Sequence, residues 1–276
     1  MDQTDKMVKL HRHERMAALT HTFVQNPGKQ FTLTAFGERF GAAKSTMSED
    51  IALLQKTFQR MDIGLLETTS GAAGGVCFYP NISRASACAW VQFLCKEIAA
   101  SDRLLPGGYY YLTDILTRPD TVRQMGIILA GEYQKNRPDF VLTVETKGIP
   151  VALMTAEALG VPLMIARRTS SLFDGSAVNI NYVTSSGIAT MSLGRRAVQA
   201  GQSALIVDDV LKAGGTAKGM MDLMAEFSVE VIGSAFVISR AISGERLITG
   251  EKSLMVMRGG EGEALSLEPA EWLREE

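Results

Sequence analysis

The stretch ALIVDDVLKAGGT, residues 204–216, is the most informative part of this chain of 276 residues. It predicts a short apolar strand over residues 203–207 that ends at two adjacent acids, Asp208 and Asp209. A loop with two glycines follows, and a helix is predicted to begin at Thr216. In open α/β sheets, ligands bind beyond the carboxyl ends of the strands, and the acids and the loop fall at that position.

Each part of this stretch has a chemical role to offer. Backbone N–H groups of the loop and of the helix N-terminus can hold a phosphate, with help from the helix dipole. Gly214 and Gly215 let the backbone approach closely and adopt positive φ, while Thr216 can cap the helix and donate a hydrogen bond to phosphate. Asp208 and Asp209 suit a pair of ribose hydroxyls. We therefore expect a sugar-phosphate site, the alternative being an acid-capped strand end with an ordinary glycine turn.

Strands alternate with helices on both sides of this stretch, over residues 81–276. Further strands are predicted over 141–145, 161–166 and 231–238, and helices over 84–100, 121–135, 150–159 and 216–227. This alternation is typical of an α/β domain in which a parallel sheet carries helices on both faces. Residues 169–192 are polar and contain glycines and serines, and they are interpreted as a mobile excursion that is partly strand over 178–183.

Residues 1–80 follow a different pattern. Three predicted helices precede two short strands, over residues 63–69 and 76–79, that are joined by a glycine-rich loop. In the third helix, Met47, Ile51, Leu54 and Phe58 form a single apolar stripe. Three helices followed by a hairpin is the order of a winged helix-turn-helix domain, and a domain boundary is expected after Pro80.

The composition describes a protein without an obligatory anionic partner. The net charge is −2, and 46% of the residues are hydrophobic, which is enough for a sizeable core. The three cysteines are odd in number and lack a CxxC pair, so neither a disulfide framework nor a metal site is predicted. No apolar segment approaches the roughly 18 residues of a membrane span, and the N-terminus does not resemble a signal peptide. A soluble, cytoplasmic protein is expected.

DNA binding cannot be derived from charge alone, because residues 1–80 carry nine basic and eight acidic side chains. A small dimerisation domain with a solvated polar face remains the alternative. A recognition helix could still meet bases and phosphates through the start of the third helix, and the wing through its unshielded glycines. The candidate DNA contacts are Lys44, Ser45, Thr46, Ser48, Gly74 and Gly75. Arg12, Arg15, Lys6 and Lys9 are candidates for additional phosphate contacts.

Residues 204–216 resemble the signature of type I phosphoribosyltransferases that binds 5-phosphoribosyl-1-pyrophosphate (PRPP). The resemblance implies that Asp208 and Asp209 bind the ribose and that the loop binds the 5-phosphate, through Leu211, Lys212, Ala213, Gly214, Gly215 and Thr216. It also implies a pyrophosphate loop at residues 145–148, with Lys147 and Gly148 as contacts. The excursion over 169–192 corresponds to the flexible loop of that family, and Arg167 and Arg168 could meet pyrophosphate there. A plain strand-to-helix turn and a solvated basic pair are the alternatives.

The chain also resembles the purine operon repressors of Gram-positive bacteria over nearly its whole length. The resemblance rests on residues 43–50, the wing at 71–76, the run LPGGYYYLTDIL at 105–116, and residues 208–216. It implies a homodimer that binds operator DNA, is released by PRPP, and is held on DNA by guanosine tetraphosphate competing for the same site. Tyr109 is implied as an effector contact, and Mg²⁺ is expected with PRPP.

The resemblance further implies a domain without catalytic activity. Catalytic relatives commonly carry small polar residues in the middle of the phosphate loop, where this chain has Lys212 and Ala213. A lysine favours binding of a polyanion but does not supply a general base. No catalytic residue is assigned. The alternative is an active purine phosphoribosyltransferase with an extra N-terminal domain.

Overall fold

A computed structural model describes residues 8–71, 74–100, 103–105, 109–168, 175–184, 187–242, 244, 246–260 and 263–274. The chain divides into two compact units. The first comprises Met1–Ile82 with Ala158–Gly160, and the second comprises Ser83–Glu157 with Val161–Glu276. No helix in the described ranges is long and apolar enough to cross a membrane.

The first unit has the predicted order of three helices and a hairpin. Its elements are α1 (Arg12–Val24), α2 (Leu33–Phe40), α3 (Lys44–Arg60), β1 (Gly64–Thr69) and β2 (Gly75–Pro80). The two strands pair in antiparallel register. Thr32 caps α2, because its side-chain oxygen accepts a hydrogen bond from the backbone N–H of Ala35 at 3.1 Å. The winged helix-turn-helix architecture is confirmed.

The predicted stripe of α3 forms the centre of this unit. Met47, Ile51, Leu54 and Phe58 are each at most 4% exposed, and they pack in one core with aromatic residues of the other elements. Phe58 meets Phe78 of β2 edge to face, with ring centroids 5.3 Å apart. The stripe thereby fixes which face of α3 remains in solvent.

A buried ion pair holds α1 against α3. Asp50 is 1% exposed and accepts hydrogen bonds from Arg15 Nε at 2.8 Å and from Arg12 Nε at 3.2 Å. Arg15 is itself buried, and it also donates to the carbonyl of Leu10. Arg15 is therefore not available as a DNA phosphate contact, and that expectation was wrong. Its positive charge neutralises that of Asp50 inside the domain.

The second unit alternates strands and helices. Its elements are α4 (Arg84–Ile98), β3 (Leu104–Leu105), β4 (Tyr109–Tyr110), α5 (Thr113–Leu116), α6 (Pro119–Gly131), β5 (Phe140–Val144), α7 (Ile149–Leu159), β6 (Leu163–Ala166), β7 (Ala177–Thr184), β8 (Gly187–Gly194), β9 (Ser203–Leu211), α8 (Gly215–Glu226), β10 (Glu230–Arg240), β11 (Lys252–Gly260) and β12 (Glu263–Pro269). A short 3₁₀ helix, Glu271–Leu273, follows.

Six of these strands form the main sheet in the order β12-β11-β10-β9-β5-β6. Neighbours are parallel except at β12, which pairs antiparallel with β11 and was not predicted. In β9, Ala204 and Ile206 pack in one core with α8, and the intervening Leu205 and Val207 are buried as well. Both faces of the sheet are covered, as in other parallel sheets.

The predicted mobile excursion is for most of its length a packed hairpin. β7 and β8 pair antiparallel from Ala177↔Gly194 to Thr184↔Gly187. Their inward residues join the core that contains α8, and these are Val178, Tyr182, Met191 and Leu193. The strand predicted over 178–183 is confirmed as part of β7, but β8 was missed, because the prediction weighed the polar content and overlooked the alternation of apolar residues. Residues 169–174 and 185–186 lie outside the described part of the chain.

The Asp50 pair predicts an asymmetry between two substitutions in the first unit. Asp50→Ala leaves the buried Arg15 charge without its partner and should lower the free energy of unfolding by about 3–5 kcal/mol. Arg12→Ala removes a side chain that is 59% exposed and should cost less than about 1 kcal/mol. Urea denaturation followed by circular dichroism measures both. Equal losses for the two variants would contradict the buried role of Asp50.

Candidate functional site

The two acids of the quoted stretch lie inside β9, three and two residues before its end at Leu211. The strand was expected to stop at residue 207, but it pairs with β10 as far as Leu211↔Ser239. Its pairing with β5 on the other side ends at Leu142↔Ile206. β10 therefore supports Asp208 and Asp209, while on the other side a gap opens at the carboxyl edge of the sheet.

The loop after β5 fills that gap. At Gly148, a Cβ atom would overlap Asp208 Oδ1 and would lie 2.9 Å from Thr143 Oγ1 and 3.0 Å from Asp208 Cα. Only glycine permits this approach of the loop to the strand. The structure thus brings Gly148, which was predicted to bind pyrophosphate, directly against the predicted ribose-binding acid. Lys147 lies beside it with its side chain exposed.

Burial dominates the electrostatics of Asp208. The residue is 7% exposed, and its Oδ1 accepts the backbone N–H of Asp209 at 2.9 Å. Burial raises the pKa of Asp208 well above its usual range, and the neighbouring charge of Asp209 raises it further, whereas Arg168 acts in the opposite direction. A buried carboxyl group with a raised pKa ionises readily only when hydroxyl donors or a cation stabilise its charge.

The phosphate loop has the expected backbone form with one correction. Gly214 has a φ of 93° and is the N-cap of α8, which begins at Gly215. Thr216 therefore lies in the first turn of α8, and the prediction that it caps this helix was wrong. Gly215 is a glycine for a different reason, since a Cβ there would overlap the backbone oxygen of Val183 in β7. The first N–H groups of α8 have no intrahelical acceptor and suit a phosphate.

A segment that sequence reasoning missed supports the phosphate loop from outside. The backbone N–H of Leu247 donates to the oxygen of Ala213 at 3.2 Å. Ile248 packs with Leu211, which is buried beneath the loop, while Lys212 and Ala213 remain exposed. The motif carries no local sign of this partner, because the two segments are more than thirty residues apart in the sequence.

Arg168 connects the walls of the site. Its Nε donates to the backbone oxygen of Glu145 at 2.9 Å, and its backbone N–H donates to Glu145 Oε1 at 2.6 Å. Its Nη1 donates to the Tyr182 hydroxyl at 3.4 Å. Tyr182 in turn packs where α8 carries Gly219, a position at which a Cβ would come within 2.8 Å of the Tyr182 Cβ. Arg168 thus ties the loop after β5 to the hairpin on α8.

The remaining predicted effector contact is placed only in part. Tyr109 forms β4, which pairs with β3 through Leu105↔Tyr109. Its side chain and residues 106–108 lie outside the described part of the chain. The short hairpin is held by Arg103, whose two Nη atoms each donate to a different carboxylate oxygen of Asp114 at 2.8 Å.

The candidate DNA-contact residues occupy two places in the first unit. Lys44, Ser45 and Ser48 are exposed in the first turns of α3, and Thr46 is half-buried there. Gly74 precedes β2 and is partly exposed. Gly75 is buried, and a Cβ there would come within 2.7 Å of the Gln30 side chain. The structure therefore gives Gly75 a packing role, while residues 72–73 of the wing are not described.

Comparison with known proteins places both units. Residues 11–80 match the family of the bacterial purine repressor N-terminal domain, and residues 112–256 match the phosphoribosyl transferase domain family. The purine biosynthesis transcriptional repressor PurR of Bacillus subtilis is 41% identical over 252 residues, which cover 91% of this chain and 88% of the relative. The chain belongs to the PurR family.

The PurR relatives differ in the direction of their regulation. The protein of Lactococcus lactis is named a purine biosynthesis transcriptional activator, and it is 38% identical over 246 residues, covering 88% of this chain and 91% of the relative. Enzymes match a shorter region. The xanthine phosphoribosyltransferase of Geobacillus thermodenitrificans is 30% identical over 165 residues, covering 57% of this chain and 85% of the enzyme. The expected combination of a DNA-binding domain with a phosphoribosyltransferase fold is confirmed.

The raised pKa of Asp208 predicts a pH-dependent stability difference. Between its unfolded and folded pKa values, Asp208 binds its proton more tightly in the folded state, so its penalty grows as pH rises through this window. Asp208→Asn mimics the protonated acid and should raise the melting temperature near pH 7 by about 2–4 °C for each kcal/mol recovered. The gain should shrink as the pH falls toward about 4, where the wild-type acid is protonated too.

Differential scanning calorimetry of the ligand-free protein over this pH range measures the effect. Asp222→Asn is the matched control, because Asp222 is an exposed acid of α8 paired with Lys218. Its melting temperature should follow that of the wild type at every pH. A destabilised Asp208→Asn variant near neutral pH would contradict an uncompensated buried acid.

Proposed function

We propose that this protein is a transcriptional repressor of purine biosynthesis and transport genes that senses PRPP as a signal. In this proposal, residues 1–80 bind operator DNA and residues 81–276 bind the effector, in a cytoplasmic homodimer. The observation that carries it is the packing of Gly148 over the buried Asp208 beside the N-terminus of α8. The membership of the chain in the PurR family supports the DNA-binding and regulatory parts of the proposal.

The chemistry of the site suits PRPP in three parts. Asp208 and Asp209 accept hydrogen bonds from the ribose hydroxyls. The N–H groups at residues 212–216 hold the 5-phosphate, and the α8 dipole and the Lys212 charge favour it. Lys147, Gly148 and Arg168 face the pyrophosphate. Because Arg168 is hydrogen-bonded to Glu145 and Tyr182, it contributes charge from a fixed position.

Guanosine tetraphosphate is proposed as the competing effector. It offers a ribose with phosphates on both sides, so it would use the same acids and the same loop, and the two ligands would exclude each other. PRPP relieves repression if it favours the state that does not bind DNA, and guanosine tetraphosphate has the opposite preference.

Mg²⁺ is proposed to arrive with PRPP. Among the residues that the structure describes, no three acidic, histidine or cysteine side chains are grouped to hold a metal ion. Two adjacent carboxylates nevertheless fit the preference of Mg²⁺ for one or two protein carboxylates together with phosphate oxygens and water. Phosphate oxygens of the effector would complete that donor set.

The decisive experiment is a titration of operator DNA from upstream of purine genes at stated salt concentration, with and without PRPP and Mg²⁺. Specific binding that PRPP weakens and guanosine tetraphosphate protects is the expected outcome. Binding at the non-specific level under all conditions would contradict the proposal. Since an activator occurs among the relatives, transcription in vitro from the same DNA tests the sign of the regulation.

Lys212→Ala separates the effector site from DNA binding. The variant removes an exposed charge from the phosphate loop and should shift the PRPP concentration for half-release upward by roughly tenfold, which is about 1.4 kcal/mol. Lys218→Ala is the control, because Lys218 is an exposed lysine on α8, the helix that follows the loop, where it pairs with Asp222. Loss of operator binding in a folded, effector-free Lys212→Ala protein would contradict separate sites.

A phosphoribosyltransferase activity is the second candidate, favoured by the similarity to xanthine phosphoribosyltransferase. It is tested by pyrophosphate release from PRPP with adenine, guanine, hypoxanthine or xanthine. We expect no release above background, because Lys212 and Ala213 replace the small polar residues common in catalytic relatives. Turnover with any one base would overturn the non-catalytic assignment.

A further inference from the structure

A buried hydroxyl beside the candidate site has no partner. Thr143 is 0% exposed in β5, the strand that lies between β9 and β6 in the main sheet. Its Oγ1 accepts and donates no hydrogen bond within the described part of the chain. The other buried threonine of this region, Thr155 in α7, donates its hydroxyl to the carbonyl of Val151 at 2.8 Å, the usual arrangement.

This arrangement is costly, and nothing in the packing requires it. A buried hydroxyl without a partner destabilises a protein by about 1–3 kcal/mol, and valine would fill the same volume in a strand that reads Phe-Val-Leu-Thr-Val. Residues that break a local rule in this manner are expected at functional sites. The unused hydrogen-bonding capacity of Thr143 therefore calls for a ligand or a partner that forms with one.

The position of the hydroxyl identifies that partner. Thr143 Oγ1 and Asp208 Oδ1 both lie within 2.9 Å of the point where Gly148 would carry a Cβ. Because Gly148 has no side chain, both oxygens border the same small space. Asp208 has a backbone donor, the N–H of Asp209, and an ionised carboxylate accepts more than one hydrogen bond.

We propose that Thr143 is a positioning residue of the effector site, whose hydroxyl donates to Asp208 when that carboxylate binds the ribose of the effector. The inference rests on the proposed function, since it concerns how the same site receives PRPP. Thr143 does not contact the effector in this arrangement. In the effector-bound state it fixes the orientation of Asp208, so that the carboxylate oxygens stay directed at the ribose hydroxyls.

An effect on affinity follows from this role. Without the Thr143 hydroxyl, the Asp208 carboxylate would lose one hydrogen bond in the effector-bound state, and effector affinity should fall.

Calorimetric titration of the full-length protein with PRPP and Mg²⁺ tests the proposal. Thr143→Val should weaken PRPP binding roughly tenfold or more. Thr143→Ser should bind within about threefold of the wild type, because it restores the hydroxyl. Thr143→Ala, which leaves space in place of the hydroxyl, should match Thr143→Val.

Thr155→Val is the matched control, because it also exchanges a buried threonine for valine in the same unit. It should lower the melting temperature by breaking a hydrogen bond while leaving PRPP affinity unchanged. Thr143→Val should have the opposite profile, with a melting temperature equal to or above that of the wild type and a weaker affinity. A purely structural role could not separate the two quantities in that direction.

The outcomes distinguish the positioning role of Thr143 from the proposed function of the protein. If the wild type binds PRPP and Thr143→Val and Thr143→Ala bind it equally well, the role of Thr143 is overturned and the proposed function stands. Equal weakening by the Thr143 and Thr155 variants would overturn it as well. Failure of the wild type to bind PRPP would overturn both the positioning role and the proposed function.

Discussion

A carboxyl group held out of water at the end of β9 loses free energy whenever it ionises, unless neighbouring groups hydrogen-bond it or carry the opposite charge. Asp208 is in that condition, and the architecture around it determines how far it is relieved. β10 supports its backbone, β5 turns away after Leu142, and Gly148 covers it from the open side. The site is therefore incomplete in the ligand-free protein, and a ligand that offers hydroxyls supplies what the chain does not.

The walls of the site are positioned by packing as much as by local motif. The backbone of Val183 is so close to Gly215 that no side chain fits there, and Tyr182 meets α8 at Gly219 in the same way. The β7–β8 hairpin is thus seated on α8, the helix whose N-terminus would bind the effector phosphate on the proposed function. Arg168 carries this connection to the loop after β5 through its bonds to Tyr182 and Glu145. A ligand whose phosphates attracted Arg168 would act on the loop after β5, on the β7–β8 hairpin and on α8 at once. A local change in charge could thereby alter the structure over a larger region.

The features that sequence predicted are those with a local physical signature. The α3 stripe follows from helical periodicity, and the loop at residues 212–216 from glycines that precede a helix after a strand. What was missed depends on pairings distant along the chain. Leu247 meets Ala213, Arg15 is neutralised by Asp50, and the hairpin strands β7 and β8 pack into a core that they share with α8. Thr143 offered a faint signal, a polar residue in an apolar strand just before a candidate loop, but its meaning depends on the absence of a partner, which only a structure reveals.

The charge of the DNA-binding unit bears on how such a protein could be switched. Residues 1–80 carry nearly balanced charges, and Arg15 is committed to Asp50. The acidic side chains of this unit offset most of its basic charge, so the salt-dependent, non-specific part of the affinity should be small for each domain. On the proposed function, specific contacts by the first turns of α3, made twice in the proposed homodimer, would then carry most of the binding. Coupling between distant sites typically amounts to about 1–3 kcal/mol. This is small compared with the free energy with which a highly charged surface binds DNA, but it is sufficient to shift a DNA interaction of modest strength. On the proposed function, the weak basicity that argues against DNA binding at first sight is what makes release by a small effector feasible.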